Sequence, residues 1–199
     1  DAPLPRPDPR NALAGGATGM GGRVRLIGRE VQLGDGLLVD VSGPAGGGTV
    51  LAGGELQGQR LGGFGVDQPN AQTLWMSPSA QVRADATALG NGGTIILWAD
   101  DTARIHGSLS ARGGPLSGNG GFIETSSAQL SLGGVQVDTR AERGHTGTWL
   151  IDPTNIWIAA DQATATAAGM VGTDSSAGTG STLFQASGSP ADSLLTVSA

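Results

Sequence analysis

The sequence predicts an all-β fold, a right-handed parallel β-helix (solenoid) with about three short strands per coil, and three observations carry that prediction. The first is a glycine doublet followed by a short apolar run: GGRVRLI from Gly21, GGTVLA from Gly47, GGTIILWA from Gly92 and GGFIET from Gly120, with the variant GTWLID from Gly147. These starts lie 26, 45, 28 and 27 residues apart. A unit so short cannot bury its own apolar face and must stack on copies of itself. The second is the break-up of each unit into short strand-like pieces between turn residues: 94–98, 102–106 and 108–111 in one, 122–125, 129–132 and 135–138 in the next. The third is alternation. Val24, Val50, Ile95, Ile123 and Leu150 share an offset after the glycines, and Val39/Val41, Val82/Ala84, Leu109/Ala111 and Val135/Val137 form i, i+2 pairs. Both sets predict inward columns, with glycine at the corners permitting sharp bends and positive φ.

Along the chain, 1–20 opens with DAPLPRPDPR, a Pro-rich entry segment or linker that cannot pair into a sheet. Residues 21–159 hold the coils. The long 45-residue interval predicts an inserted loop near 59–72, with 73–76 and 80–84 forming an extra coil that lacks the doublet. Beyond 159 the period fades. Residues 160–199 read as a mobile loop, with a helical turn over 161–168, followed by the start of a further coil at 183–184 and 194–197.

Composition narrows the function classes. Glycine accounts for 36 of 199 residues without a Gly-X-Y period, which excludes collagen. There is no Cys, so neither a disulfide framework nor a thiolate metal site is available. All eleven basic residues are Arg, scattered along a chain of net charge −6, which argues against a nucleic-acid partner. No apolar stretch approaches the ~20 residues needed to span a bilayer. No signal-peptide pattern is present, and the start at Asp1 reads as a processed or excised fragment.

Four linked motifs then occur in order: Trp98–Ala99–Asp100, the Ala111–Arg112–Gly113–Gly114 corner, Gly120–Gly121–Phe122–Ile123–Glu124–Thr125–Ser126, and Gly147–Thr148–Trp149–Leu150–Ile151–Asp152–Pro153. With the Gly92–Gly93 doublet, this text resembles the repeat region of large bacterial exoproteins of the filamentous-haemagglutinin type, exported by two-partner secretion. The likeness covers about 70 residues. It implies a secreted or surface-displayed role, adhesion to a host-cell or matrix glycan or protein, and export through an outer-membrane transporter. The Asn-Pro-Asn-type motifs of that family's secretion domain are missing, which implies a passenger stem whose transporter contact lies outside this chain. Ser127 stands where the family pattern has Gly. The recognised motifs are scaffold motifs and transfer no ligand-binding residue.

The chemistry-bearing residues point away from catalysis. Asp100–Asp101, Arg104-Ile105-His106 and Gly144-His145-Thr146-Gly147 loosely resemble the set of pectin hydrolases, but in the wrong order and without its Lys. A glycosidase needs two carboxylates across one scissile bond. Asp100, Asp101, Glu124, Asp138 and Asp152 show no sign of converging. The expectation is no catalytic residue, no cofactor and no metal. His106 and His145 form a zinc pair only if they meet on adjacent coils, and no third ligand accompanies them. Asp152-Pro153-Thr154-Asn155 reads as a turn. Glu124 alternates with Ile123 and is expected to face solvent. Trp75, Trp98 and Trp157 are the surface candidates for stacking on a sugar ring, against the plainer reading that each covers the core or a corner. The functional expectation is a secreted stem that adheres by its surface and self-associates through open strand edges. A polysaccharide-degrading β-helix enzyme and a ligand-free filament subunit are its rivals.

Overall fold

The computed structural model describes residues 19–59 and 69–153 with their side chains, and the backbone strands 155–159, 170–171, 185–186 and 192–196. The first coil consists of β1 (Arg23–Leu26), β2 (Glu30–Leu33) and β3 (Leu38–Asp40). The second is β4 (Thr49–Ala52), β5 (Thr73–Met76) and β6 (Gln81–Arg83), and the third β7 (Thr94–Trp98), β8 (Thr102–Ile105) and β9 (Ser108–Ser110). The fourth is β10 (Phe122–Ser127), β11 (Gln129–Ser131) and β12 (Gln136–Asp138), after which β13 (Thr148–Pro153) opens the next. Like strands of successive coils pair in parallel. They form a first sheet β1-β4-β7-β10-β13, a second sheet β2-β5-β8-β11 and a third sheet β3-β6-β9-β12. The predicted fold class is what is observed.

Register decides which residues look inward. Val24, Val50, Ile95 and Ile123 are in line, as expected, but the next rung is Trp149 and not Leu150. GTWLID carries a single glycine, which aligns with the second glycine of the doublets, so its whole strand shifts by one. Likewise Leu109 pairs with Val137, and Val135 precedes the strand. The place after Val41, Ala84 and Ala111 is filled by the buried Thr139. A one-residue offset sends every side chain to the other face.

The interior is one aliphatic column running the length of the coils. Val50, Ala52, Ile95, Leu97 and Ile123 come from the first sheet, Leu33, Leu74, Met76, Ile105 and Leu130 from the second, and Val82, Ala84, Leu109 and Ala111 from the third. Each fully buried large side chain contributes about 1.5–3 kcal/mol relative to exposure.

The doublets have a spatial reason and not a conformational one. The first glycine lies against the end of the third sheet: a Cβ on Gly21, Gly47, Gly92 or Gly120 would collide with the carbonyl oxygen of Val41, Ala84, Ala111 or Thr139. The second lies against the coil before it, so that a Cβ on Gly48, Gly93, Gly121 or Gly147 would strike the carbonyl of Gly22, Gly48, Gly93 or Gly121. None of these eight has positive φ; that conformation falls just upstream, at Gly46, Gly90 and Gly118. The corner is sealed by an asparagine ladder, in which Asn119 N–H donates to Asn91 Oδ1 (2.8 Å) and His145 N–H to Asn119 Oδ1 (2.9 Å).

The 45-residue interval contains no extra coil. β5 and β6 occupy their ordinary places in the second and third sheets, and the extra chain lies inside the second coil, between β4 and β5. Its described part begins with Gly53 and the short 3-10 turn Leu56–Gly58. The predicted loop at 59–72 falls partly on residues 60–68, outside the described residues, as do the entry segment over 1–18 and the helical turn over 161–168. In the last segment, β14 (Asn155–Ala159) pairs in parallel with β17 (Asp192–Thr196), while β15 (Met170–Val171) and β16 (Gln185–Ala186) pair antiparallel.

Candidate functional site: the outer face of the third sheet

The inward direction of Val82, Leu109 and Val137 fixes what their neighbours do. Residues one place to either side point outward, and in-register pairing lines them up across coils. Gln81, Ser108 and Gln136 form one outer row; Asp40, Arg83, Ser110 and Asp138 form a second. A third row, just past the strands, is Asp85, Arg112 and Arg140, held by Ala86 N–H to the Arg112 carbonyl and Gly113 N–H to the Arg140 carbonyl. All of these but Asp40 line an open groove of about 790 Å³ across the second, third and fourth coils. Apart from Val82, Leu109 and Val137, which point inward at its floor, its side chains are hydroxyl, amide, carboxylate and guanidinium, with no aromatic among them.

Acidic and basic side chains are interspersed along these rows. Arg140 grips Asp138 bidentately, Nε to Oδ1 at 2.9 Å and Nη2 to Oδ2 at 2.8 Å. That hydrogen bond is the largest cause holding the Asp138 carboxyl below its ordinary range. Asp85 accepts from Ser110 Oγ (2.6 Å) and Arg112 N–H (2.7 Å). Arg112 reaches Asp138 and Glu142 only at 3.6 and 3.8 Å, and its buried Nε has no hydrogen-bond partner. Arg83 is exposed and donates to Gln81 (2.5 Å).

The residues singled out from sequence lie elsewhere. Trp98 sits on the outer face of the first sheet against Leu51 and Ile96, where the insertion covers it: Gly54 and Gly58 lie against its ring. Its Nε1 donates to Asp100 (2.8 Å), and Asn70 Nδ2 donates to the same carboxylate oxygen (3.1 Å). Trp75 is half-buried on the outer face of the second sheet, in register with Gln32 and Arg104. Trp149 looks inward and donates to Thr125 Oγ1 (3.1 Å). Trp157 lies in β14, and its side chain is outside the described residues. Gly113 and Gly114 are corner glycines against Asn119 and Leu89. Asp152 is exposed and Pro153 half-buried at the end of β13.

Glu124 contradicts its expectation of solvent exposure. It does point out of the coil, opposite to Ile123, yet it is fully buried because the insertion folds over it. Gln57 N–H, presented by a left-handed residue (φ 53°), donates to both Glu124 oxygens (3.2 and 3.3 Å), and Ser126 Oγ donates at 2.9 Å. Burial is the largest influence on this carboxyl and pushes its pKa up, with neighbouring Asp152 adding to the effect. Ser127, at the place of the family glycine, is also buried; it donates to the Gln129 carbonyl (2.5 Å) and accepts from Ala103 N–H (3.1 Å).

The histidines do not meet. Buried His106 turns the corner between β8 and β9, with Nδ1 donating to the Gly133 carbonyl (2.7 Å), whereas exposed His145 lies at the corner after β12. Among the described residues no group of three His, Cys, Asp or Glu side chains could hold a metal ion. No described helix is long and apolar enough to cross a membrane.

A stack of parallel three-strand coils with a polar outer face belongs to the class of β-solenoids. No family model and no curated protein matches the chain. Among solved structures the chain is similar to the HMW1 secretion domain from Haemophilus influenzae, at 27% identity and a TM-score of 0.53; the match covers 68% of this chain and 33% of that one. The chain thus spans about a third of that neighbour's length.

Proposed function

We propose that this chain is a structural and adhesive stem segment of a secreted bacterial exoprotein of the filamentous-haemagglutinin type. It is displayed at the outer surface after export through an outer-membrane transporter that engages a region outside the chain. The observation that carries this reading is the pairing of an exoprotein-like solenoid with the secretion-domain neighbour, joined to the four ordered motifs between Trp98 and Pro153. In this reading the chain performs no catalytic step: Asp100 is taken up by Trp98 and Asn70, Glu124 by the insertion and Asp138 by Arg140. Its contacts with host glycan or protein, and with other copies of itself, are made by the coil surface and strand edges.

A second reading is favoured by the same neighbour. Because that protein is a secretion domain, the segment itself belongs to the part that engages the transporter. An in-frame deletion of residues 94–147 from the exoprotein, two whole coils, separates the two. A stem predicts a shorter product still found outside the cell and accessible to protease on intact bacteria. Export abolished by the deletion assigns the segment to the transporter-engaging part. An undeleted protein retained in the cytoplasm refutes both.

A further inference from the structure

We propose that the groove on the third sheet binds an acidic glycan, a chain of carboxylate-bearing sugars lying along the solenoid axis. The proposal deepens the adhesive part of the reading above and rests on it; export does not enter it. The first support is periodicity. Each of the three coils brings one guanidinium to the groove, Arg83, Arg112 and Arg140, with coils at about the 4.8 Å spacing of paired strands, so a linear polymer of similar units can meet a cationic donor on each coil. The second is charge: the lining holds Arg83, Arg112 and Arg140 against Asp85 and Asp138, in a chain whose net charge is −6. Asp85 and Asp138 are already satisfied from within the protein.

The third support is unused donor capacity. A guanidinium offers five N–H donors in a fork that matches a carboxylate. Arg83 spends its described hydrogen bond on Gln81, and the Arg112 guanidinium makes ion pairs of 3.6 Å to Asp138 and 3.8 Å to Glu142, both longer than a hydrogen bond. Around them Ser108, Ser110, Gln81 and Gln136 offer the hydroxyl and amide groups that pair with sugar hydroxyls. Other polyanions fit less well. A single-stranded nucleic acid needs aromatic platforms for its bases, and the groove has none. A peptide needs apolar anchor pockets, and the apolar side chains here face the core.

The test is calorimetric titration of the whole chain with polygalacturonate, neutral dextran and a single-stranded DNA oligomer. Saturable binding of polygalacturonate that weakens with salt, and none of dextran, is expected. Arg83→Ala and Arg112→Ala should each weaken it about tenfold, the loss of a charge-assisted pair, while Arg29→Ala at a corner of the second sheet leaves it unchanged. Arg83 is exposed, so its variant carries the readout even if Arg112→Ala lowers thermal stability. No binding of polygalacturonate overturns the proposal. So does equal binding of dextran or DNA, or an equal loss in Arg29→Ala. None of these results bears on whether the exoprotein is exported.

Discussion

At the level of single residues, Glu124 shows how a scaffold motif acquires a second task. Strand alternation alone places it outward, and that much is legible from its position after Ile123. What buries it is a turn at Gln57, 67 residues away, which closes over the outer face of the first sheet. No short-range pattern connects the two, because the contact depends on where an insertion folds back. Burial raises the carboxyl's pKa, so the folded state binds a proton more tightly than the unfolded chain. That cost is absent below the ordinary value of 4.5, grows as pH rises through 4.5 toward the raised folded value, and is constant above it. Glu124→Gln keeps the acceptor for Gln57 and removes the charge. Denaturant unfolding should show the variant more stable by on the order of 1 kcal/mol at pH 7, with the gap closing below pH 4.5. A variant less stable at pH 7 would mean that the ionised carboxylate is what fastens the insertion.

The coil corner is the element that the sequence announces most clearly, and its glycines allow a test within one motif. Gly48 and Gly22 are both second members of a doublet, with ordinary φ. A Cβ on Gly48 would collide with the Gly22 carbonyl, whereas a Cβ on Gly22 meets nothing within 4 Å. Gly48→Ala should therefore cost about 1–3 kcal/mol through forced displacement of the corner. Gly22→Ala should be neutral or stabilise by about 0.4–1 kcal/mol through the unfolded chain. Equal effects in thermal unfolding would show that backbone freedom, not space, selects the doublet. The spacing of the doublets revealed the coils, the three strands of each and most of the core columns. It misled at Leu150 and Val135, where a unit lost or shifted a residue and register moved with it. It also misled at β5 and β6, since a doublet count cannot distinguish an insertion within a coil from a coil without a doublet. The third-sheet face was half legible: Gln81 and Arg83, Ser108 and Ser110, Gln136 and Asp138 flank the inward residues in plain alternation. No one of these residues marks a site by itself, and only pairing across coils assembles them into rows.

For the whole molecule, stability is a sum of coil-to-coil contacts along one aliphatic column and three ladders. A long parallel ladder also leaves strand edges that pair with other copies unless something covers them. The first described coil exposes Met20 and Leu38, at 70% and 51%. Sedimentation velocity should accordingly show concentration-dependent association, and a strictly monomeric species at high concentration would remove self-association from the proposed function. Every placement above, from the Glu124 lid to the Arg rows, depends on the second coil having its insertion between β4 and β5. The direct measurement is dipolar broadening between paired nitroxides on cysteines introduced into a chain that has none. Labels at Thr49 and Thr94, in-register neighbours on the first sheet although 45 residues apart, should broaden strongly. Labels at Thr49 and Thr73, on different sheets, should not. Strong broadening of the 49/73 pair with none for 49/94 would mean that 73–84 forms a coil of its own, and the coil register set out here would be wrong.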